Sequence, residues 1–322
     1  MEIKLSIIIP AFNVEKYIIR CLDSLYTQDL PIEEYEVIVV NDGSTDSTLS
    51  ILMAYKKENL KILSQENQKQ GAARNNGLKI AKGRYIWFVD ADDWIEPNVF
   101  GKLYNRIFTS KVDILGFNCH DAQLKYVDCI IEGKELFRNL IRVGCFKSGP
   151  CFTLFDRNFL LFNNLFFLEK CIYEDSEYLP RVYYMAKKVL YINLHVYNYY
   201  YNQLGSTKKT STPKWVCDNF IFLLLPSMKS FSDKIYRDDK VLARTFYFYT
   251  ALTFNIFLNK LLKAQRSDLL EISKDVKNIK QEMIHCFMCS SDYRYWLEGI
   301  MLKLPFLLFF RIYKMIKQNS KV

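Results

Sequence analysis

The 322-residue sequence predicts an α/β fold, a mainly parallel sheet flanked by helices in a Rossmann-like arrangement, followed by a helical C-terminal region. Three observations carry this expectation. Through the first ~115 residues, short apolar runs rich in β-branched residues alternate with helical stretches. Each run ends in turn-forming or acidic residues. From about residue 215 onward strand-like runs give way to long helical spacings.

The first run, KLSIIIP (4–10), is almost continuously apolar, as a strand covered on both faces should be, and VEKYIIRCLDSLYTQ follows it as a helix. YEVIVVND (35–42) is the second strand and STLSILMAYKKEN its helix. LKILSQ (60–65) is the third, with QGAARNNGLKIAK after it; RYIWFVD (84–90) is the fourth, with PNVFGKLYNRIFT; VDILGFN (112–118) is the fifth. The order βαβαβαβαβ implies parallel strands with helices on both faces. Such sheets bind ligands beyond the carboxyl ends of their strands. Pro10, Phe12 and Asn13 stand at the first end, Asn41 and Asp42 at the second, and Asp90 and Asp92 at the fourth, while Arg74 lies on the helix after the third. Four separate stretches thus converge on one rim. Residues from about 120 to 200 are less regular and more aromatic, and NQLGSTKKTSTPK (202–214) is a polar break. This divides the chain into residues 1–205, expected to bind a ligand and carry the chemistry, and a helical region, 206–322.

Half of the residues are hydrophobic, which supplies ample core. Nine cysteines without a framework spacing, and an N-terminus lacking a basic region and a cleavage site, point to a cytosolic protein. Cys286 and Cys289 form the only CxxC, and no second pair completes a zinc site. Charge is unevenly placed: residues 1–205 hold 24 Lys and Arg against 25 Asp and Glu, and residues 206–322 hold 20 against 10. The excess of +9 therefore belongs to the last third, where an anionic partner is expected. GIMLKLPFLLFFRIYKMIKQNSK (299–321) contains no acidic residue, and a helix begun at Pro305 gathers Arg311, Lys314, Lys317 and Lys321 on one side. Its apolar run, Leu304 to Phe310, is too short to span a bilayer. Two readings stand: a helix lying in a membrane interface, or a core helix with a solvated stripe. Nucleic acid is not expected, because the cations are not set on a recognisable binding module.

RYIWFVDADDWI (84–95) runs an apolar strand straight into Asp90, Asp92 and Asp93. Like charges this close repel and lose hydration when buried, so the cluster is either solvated or holds something cationic. Asp-Ala-Asp suits Mn²⁺ or Mg²⁺ completed by phosphate oxygens and water. Equally, Asp92 or Asp93 is placed to cap a helix near Pro97. In NDGSTDST (41–48), Gly43 makes the turn and Ser44, Thr45 or Asp46 caps the next helix. Asp42 is left at the strand end, where its carboxylate can accept a hydrogen bond from a base or sugar. No GxGxxG or Walker loop follows the first strand. A second acidic cluster, CIYEDSEYL (171–179), reads either as a solvated helix start or as a source of a general base.

Taken in order, SIIIPAFNVEKYI, VIVVNDGSTDST, QGAARNNGL, KGRYIWFVDADDW and YEDSEYL resemble the motifs of family 2 glycosyltransferases of the GT-A fold, in bacteria makers of surface polysaccharide, over about residues 3–205. The resemblance implies an inverting, metal-dependent transferase using a nucleotide-sugar, a UDP-sugar by expectation. It assigns Phe12, with Pro10, Asn13 and Glu15, to the pocket of the base, Asp42 to pyrimidine reading and Arg74 to the ribose and diphosphate. Asp90 falls to ribose or metal water, Asp92 to direct metal ligation, and Asp175, beside Glu174, to the catalytic base. The expected acceptor is a polyprenyl-diphosphate-linked saccharide of capsule, O-antigen or exopolysaccharide synthesis. That places the protein on the cytoplasmic face of the membrane, with its tail on the anionic surface. The QxxRW signature of processive synthases is absent, and Ser206 and Thr207 stand where non-processive members carry Ser-Thr. Two rivals are a catalytically inactive nucleotide-sugar-binding scaffold and a nucleotidyltransferase; the latter would need a Gly-rich phosphate loop after the first strand.

Overall fold

A computed structural model describes residues 2–117, 127–200, 213–262, 264–290 and 292–319. Asn118, Ser206, Thr207 and Lys321 lie outside the described residues. The chain forms two compact units, Met1–Gln203 and Leu204–Val322.

The first unit is built on strands β1 (Leu5–Ala11), β2 (Tyr35–Asp42), β3 (Leu60–Gln65), β4 (Tyr85–Phe88), β5 (Trp94–Ile95), β6 (Ile114–Gly116), β7 (Ile130–Ile131), β8 (Thr153–Asp156), β9 (Val189–Tyr191) and β10 (Tyr197–Asn198). Eight of them form one sheet in the order β3-β2-β1-β4-β8-β6-β9-β7, and β5 pairs with β10 in a separate antiparallel ribbon. The first four strands are parallel, with β1 between β2 and β4. Every residue of β1 and β2 is buried, which is why their sequences are nearly uninterrupted apolar runs. The chain steps outward from β1 to β3 and then returns to the other side of β1 as β4. That reversal opens a crevice beyond the carboxyl ends of β1 and β4. Next to β4 the parallel order breaks, because β8 runs antiparallel to both β4 and β6.

The helices of this unit are α1 (Ile18–Leu25), α2 (Thr48–Ala54), α3 (Lys69–Ile80), α4 (Phe100–Ser110), α5 (Gly133–Arg142), α6 (Arg157–Phe162) and α7 (Glu174–Met185). Side chains alternate along a strand, so Ile7, Ile9, Val37, Val39 and Trp87 face one core with Leu22 of α1 and Phe100 of α4. Ile8 faces the other way and meets α3. Helix α4 starts later than the sequence pattern suggests, at Phe100, and neither Asp92 nor Asp93 caps it. Gln28 Oε1 accepts from the Val99 and Phe100 amides (3.0 and 3.3 Å), and Asp29 Oδ1 from Gly101 (2.8 Å). Before α2 the N-cap position falls to Ser47, whose side chain makes no capping bond, and Asp46 one residue earlier accepts from the Thr48 amide at 3.0 Å in a local turn.

The second unit contains α8 (Pro213–Asp218), a π-helical turn (Asn219–Leu224), α9 (Leu225–Asp238), α10 (Lys240–Leu261), α11 (Arg266–Met288), α12 (Tyr293–Met301) and α13 (Phe306–Asn319), with no strand among the described residues. Pro226 follows the π turn and has no N–H to continue an α ladder. Among the described residues α10 alone is long and apolar enough to cross a membrane, but 72% of its apolar window is buried within the protein, as in a core helix. The basic C-terminal helix has an apolar side that is also core: Phe309, Phe310 and Tyr313 are 0, 3 and 2% exposed.

Candidate active site

Two small residues set α3 against its surroundings. A Cβ on Gly71 would stand 2.5 Å from the Leu168 carbonyl oxygen, and one on Gly77 would collide with Ile8 of β1. This close approach carries Arg74 under the end of β4. Its Nη2 donates to Asp90 Oδ1 at 2.7 Å, its Nη1 donates to Glu174 Oε1, and the guanidinium lies 5.2 Å from the Phe167 ring centroid. Asn75 latches the neighbouring chain, donating to the Phe167 carbonyl (2.9 Å) and accepting from its amide (2.8 Å). The stretch QGAARNNG thereby joins the strand-end acids to the second acidic cluster, about a hundred residues later in the chain.

The three carboxylates after β4 have different surroundings. Asp93 is fully buried; its Oδ2 accepts from the Tyr197 hydroxyl (2.5 Å) and its Oδ1 from the Tyr200 amide (2.7 Å). Burial first, then the neighbouring Asp90, push its carboxyl up to about 8, against those hydrogen bonds. Asp93 thus supports the loop. The Tyr197 hydroxyl also accepts from the Asp90 amide at 3.1 Å. Asp92 is half-buried, and its backbone carbonyl accepts from Arg20 Nη2 at 2.6 Å. The Arg20 guanidinium lies 4.3 Å from the Trp94 ring and 4.7 Å from Tyr200, which fixes it between two aromatic faces. The ligand atoms of Asp90, Asp93 and Cys151 lie within 4.8 Å of one another, but burial pushes the Cys151 thiol well up, away from the thiolate a metal would need.

Residues beyond β1 and β2 form an adjoining wall. Asp42 Oδ1 accepts from Gln65 Nε2 and the Gln68 amide, both at 2.8 Å. Asn13, at φ +53°, accepts from the Thr45 amide (2.8 Å) while its own amide donates to Ser44 Oγ (3.1 Å). Glu15 Oε2 accepts from the Ser47 amide (3.0 Å) and its amide donates to Asp46 Oδ2 (3.2 Å). Asn13 and Glu15 are therefore struts between the loops after β1 and β2, and Pro10 is buried in β1. Phe12, directly after β1, is 36% exposed.

The start of α7 is not a solvated helix end. Glu174 is fully buried, and burial, helped by Asp175, pushes its carboxyl up to about 7 although Arg74 opposes the shift. Asp175 is half-buried, with its Oδ2 accepting from Ser148 Oγ at 3.2 Å. Its carboxyl is also raised, by burial and by Asp90, against Arg74 and its hydrogen bonds. One guanidinium thus faces Asp90, Glu174 and Asp175 together. Carboxylates outnumber cations here, and Asp90 and Asp92 are oxygen donors at least partly open to solvent, so the donor set fits a hard divalent cation. Ser148, Arg20 and Tyr197 escape a reading of the sequence. Each acts across a long sequence separation, and only the aromatic density of VYNYY hinted at the last.

The sequence profile of glycosyl transferase family 2 matches residues 6–152. The chain is 33% identical over 229 residues to glycosyltransferase GlyA of Streptococcus pneumoniae, covering 66% of this chain and 32% of that protein. It is 47% identical over 115 residues to the poly(ribitol-phosphate) beta-glucosyltransferase of Bacillus spizizenii, covering 34% of this chain and 18% of that protein. These matches thus span a third or less of those relatives. The structure of residues 1–349 of Staphylococcus aureus TarS in complex with UDP-GlcNAc superposes with a TM-score of 0.73 at 21% identity, over 99% of this chain and 92% of that one, which shows the shared GT-A fold with its helical C-terminal region.

Proposed function

As the chain belongs to glycosyl transferase family 2, we propose that it transfers a sugar from a UDP-sugar to a saccharide acceptor with inversion at the anomeric carbon. The observation that carries this reading is the Arg74 bridge, which brings the acids after β4 and the acidic start of α7 into one electrostatic cluster at the open end of the sheet. The exposed Phe12 ring offers a stacking face for the base, and Asp42 an acceptor for its N–H. Asp92 and Asp90 would hold Mn²⁺ or Mg²⁺, which when bound supplies positive charge to the departing diphosphate. Asp175 takes the proton from the acceptor hydroxyl as its oxygen attacks the anomeric carbon and the bond to the diphosphate breaks. A raised carboxyl pKa makes Asp175 a stronger base than a solvated aspartate. Arg74, itself buried, positions the carboxylates on either side of it.

For the acceptor, the reading is a polyprenyl-diphosphate-linked glycan of capsule, O-antigen or exopolysaccharide, with the protein peripheral on the cytoplasmic face of the membrane. The 47% identity to a poly(ribitol-phosphate) glucosyltransferase favours a second reading, a polyol-phosphate polymer as acceptor. Release of UDP from UDP-glucose and UDP-N-acetylglucosamine, with GDP-mannose as control and each acceptor added in turn, tests both. Asp92→Ala should abolish metal-dependent donor binding, and Asp175→Asn should spare binding while removing transfer. Full transfer by the Asp175 variant would sink its role as base. Donor binding by the native protein without turnover on any acceptor would favour a scaffold.

A further inference from the structure

Of the exposed apolar side chains scattered over the second unit, four fall on one face of a single helix. In α12, Tyr293, Trp296, Leu297 and Ile300 recur at the i, i+3, i+4, i+7 spacing and are 69, 40, 40 and 38% exposed. The other side of α12 is fixed to its neighbours. Gly299 lies against Phe287 and Met288 of α11, Tyr295 packs edge-on against Phe248 at 4.9 Å, and Glu298 accepts from Asn255 Nδ2 at 2.6 Å. Its apolar face is therefore held outward by a packed inner face and is not the result of fraying. The turn into α13 is also pinned, because Lys280 Nζ donates to the carbonyls of Lys303 (3.0 Å) and Leu304 (2.9 Å).

Charge accompanies the apolar face. Lys303, Arg311 and Lys314 are exposed on the turn and on α13, beside Leu308 and Met315 at 45 and 63% exposure. Of the two acids on this stretch, Asp292 is bonded to Arg294 and Glu298 is turned inward to Asn255. The exposed residues of α12, the turn and α13 are thus cationic as well as apolar, a composition that complements an anionic bilayer and disfavours a second copy of the same positive surface. We propose that α12 inserts its Tyr293–Trp296–Leu297–Ile300 face into the headgroup region of an anionic membrane, with Lys303, Arg311 and Lys314 on the lipid phosphates. Trp and Tyr suit that depth because each pairs an apolar body with a polar tip, and nearby cations add their attraction to the surface potential. The inference deepens the proposed peripheral placement and moves the anchor from the tail helix, whose Phe306, Phe309, Phe310 and Tyr313 are buried, to the helix before it.

The test uses the full chain and sedimentation with vesicles of phosphatidylcholine, with and without phosphatidylglycerol. Binding is expected only with the anionic lipid. Trp296→Ser combined with Leu297→Ser should weaken partition at least about tenfold, and each of Lys303→Ala and Lys314→Ala about fivefold. Brominated phospholipid should quench native tryptophan fluorescence, and Trp296→Phe should remove most of the quenching while retaining vesicle binding. Donor hydrolysis should be unchanged in every variant, so a failed vesicle assay is distinguishable from a failed transferase assignment. Equal binding to neutral vesicles, quenching that survives Trp296→Phe, or a dimer that the double variant dissolves would overturn the proposal.

Discussion

Arg74 is buried among Asp90, Glu174 and Asp175, so its charge is divided among three carboxylates and fully matches none of them. Arg74→Met should leave Glu174 buried beside its acidic neighbours and cost about 3–5 kcal/mol in urea unfolding. Arg74→Lys keeps the charge but loses the fork that reaches both sides, and should fall between native and Met. The same crowding predicts a pH profile. Asp175 acts only when ionised and its carboxyl is raised, so kcat/KM should climb with pH through an apparent pKa above that of a solvated aspartate. An acid limb at an ordinary carboxylate pKa would count against Asp175. Arg20 makes a third case: Arg20→Ala frees the Asp92 carbonyl and should raise the Mn²⁺ concentration for half-maximal donor binding about tenfold, or 1.4 kcal/mol. Arg20→Lys should recover part of this, and neither change should shift the thermal midpoint appreciably, because the side chain is exposed.

Elements show what the sequence could reveal and what it could not. β1, β2 and β4 were legible because a strand covered on both faces needs apolar residues at nearly every position, the half-buried edge strand β3 only by its short apolar run, and the strand-end acids as departures from that rule. β8, only Thr153–Asp156, was not, because its assignment depends on two neighbours, β4 and β6, far from it in sequence. The site followed the same division. Asp90, Asp92 and Asp175 stood out as acids at element ends, whereas the bond from Arg74 to Glu174 and the support of Asp93 by Tyr197 each span about a hundred residues. Capping was misread for a related reason, since Gln28 and Asp29 reach α4 from another part of the chain. α3 offers a test at this scale. Gly77→Ala should press a methyl group into Ile8, destabilise the protein by about 1–3 kcal/mol, and weaken donor binding by lifting Arg74 away from Asp90.

For the whole molecule, buried carboxyls of opposite tendency make stability a peaked function of pH. Glu36 is desolvated in β2, yet hydrogen bonds from Lys61 Nζ (2.6 Å), Ser6 Oγ (2.6 Å) and the Lys82 amide (2.6 Å) hold its pKa below the ordinary value. Asp233, paired with Lys229 and Tyr247 in the second unit, is lowered for the same reason against its own desolvation. Such groups stabilise the fold above their unfolded pKa, and that contribution is lost as pH falls through the folded value. Glu174 has the opposite sign. Desolvated beside Arg74 and Asp175, it is pushed up to about 7, so between the ordinary carboxylate range and that value the folded state holds a proton that the unfolded chain has released. Stability must then decline as pH rises across this window. The two tendencies place the maximum near about pH 5. Urea midpoints measured from about pH 3 to about pH 8 should trace that peak, and Glu174→Gln should make its alkaline side shallower, the remainder belonging to the raised carboxyls of Asp93 and Asp175, without altering the acid limb set by Glu36 and Asp233. A midpoint that rises steadily to neutrality in both proteins would show that Glu174 stays ionised, with Arg74 matching its charge in full.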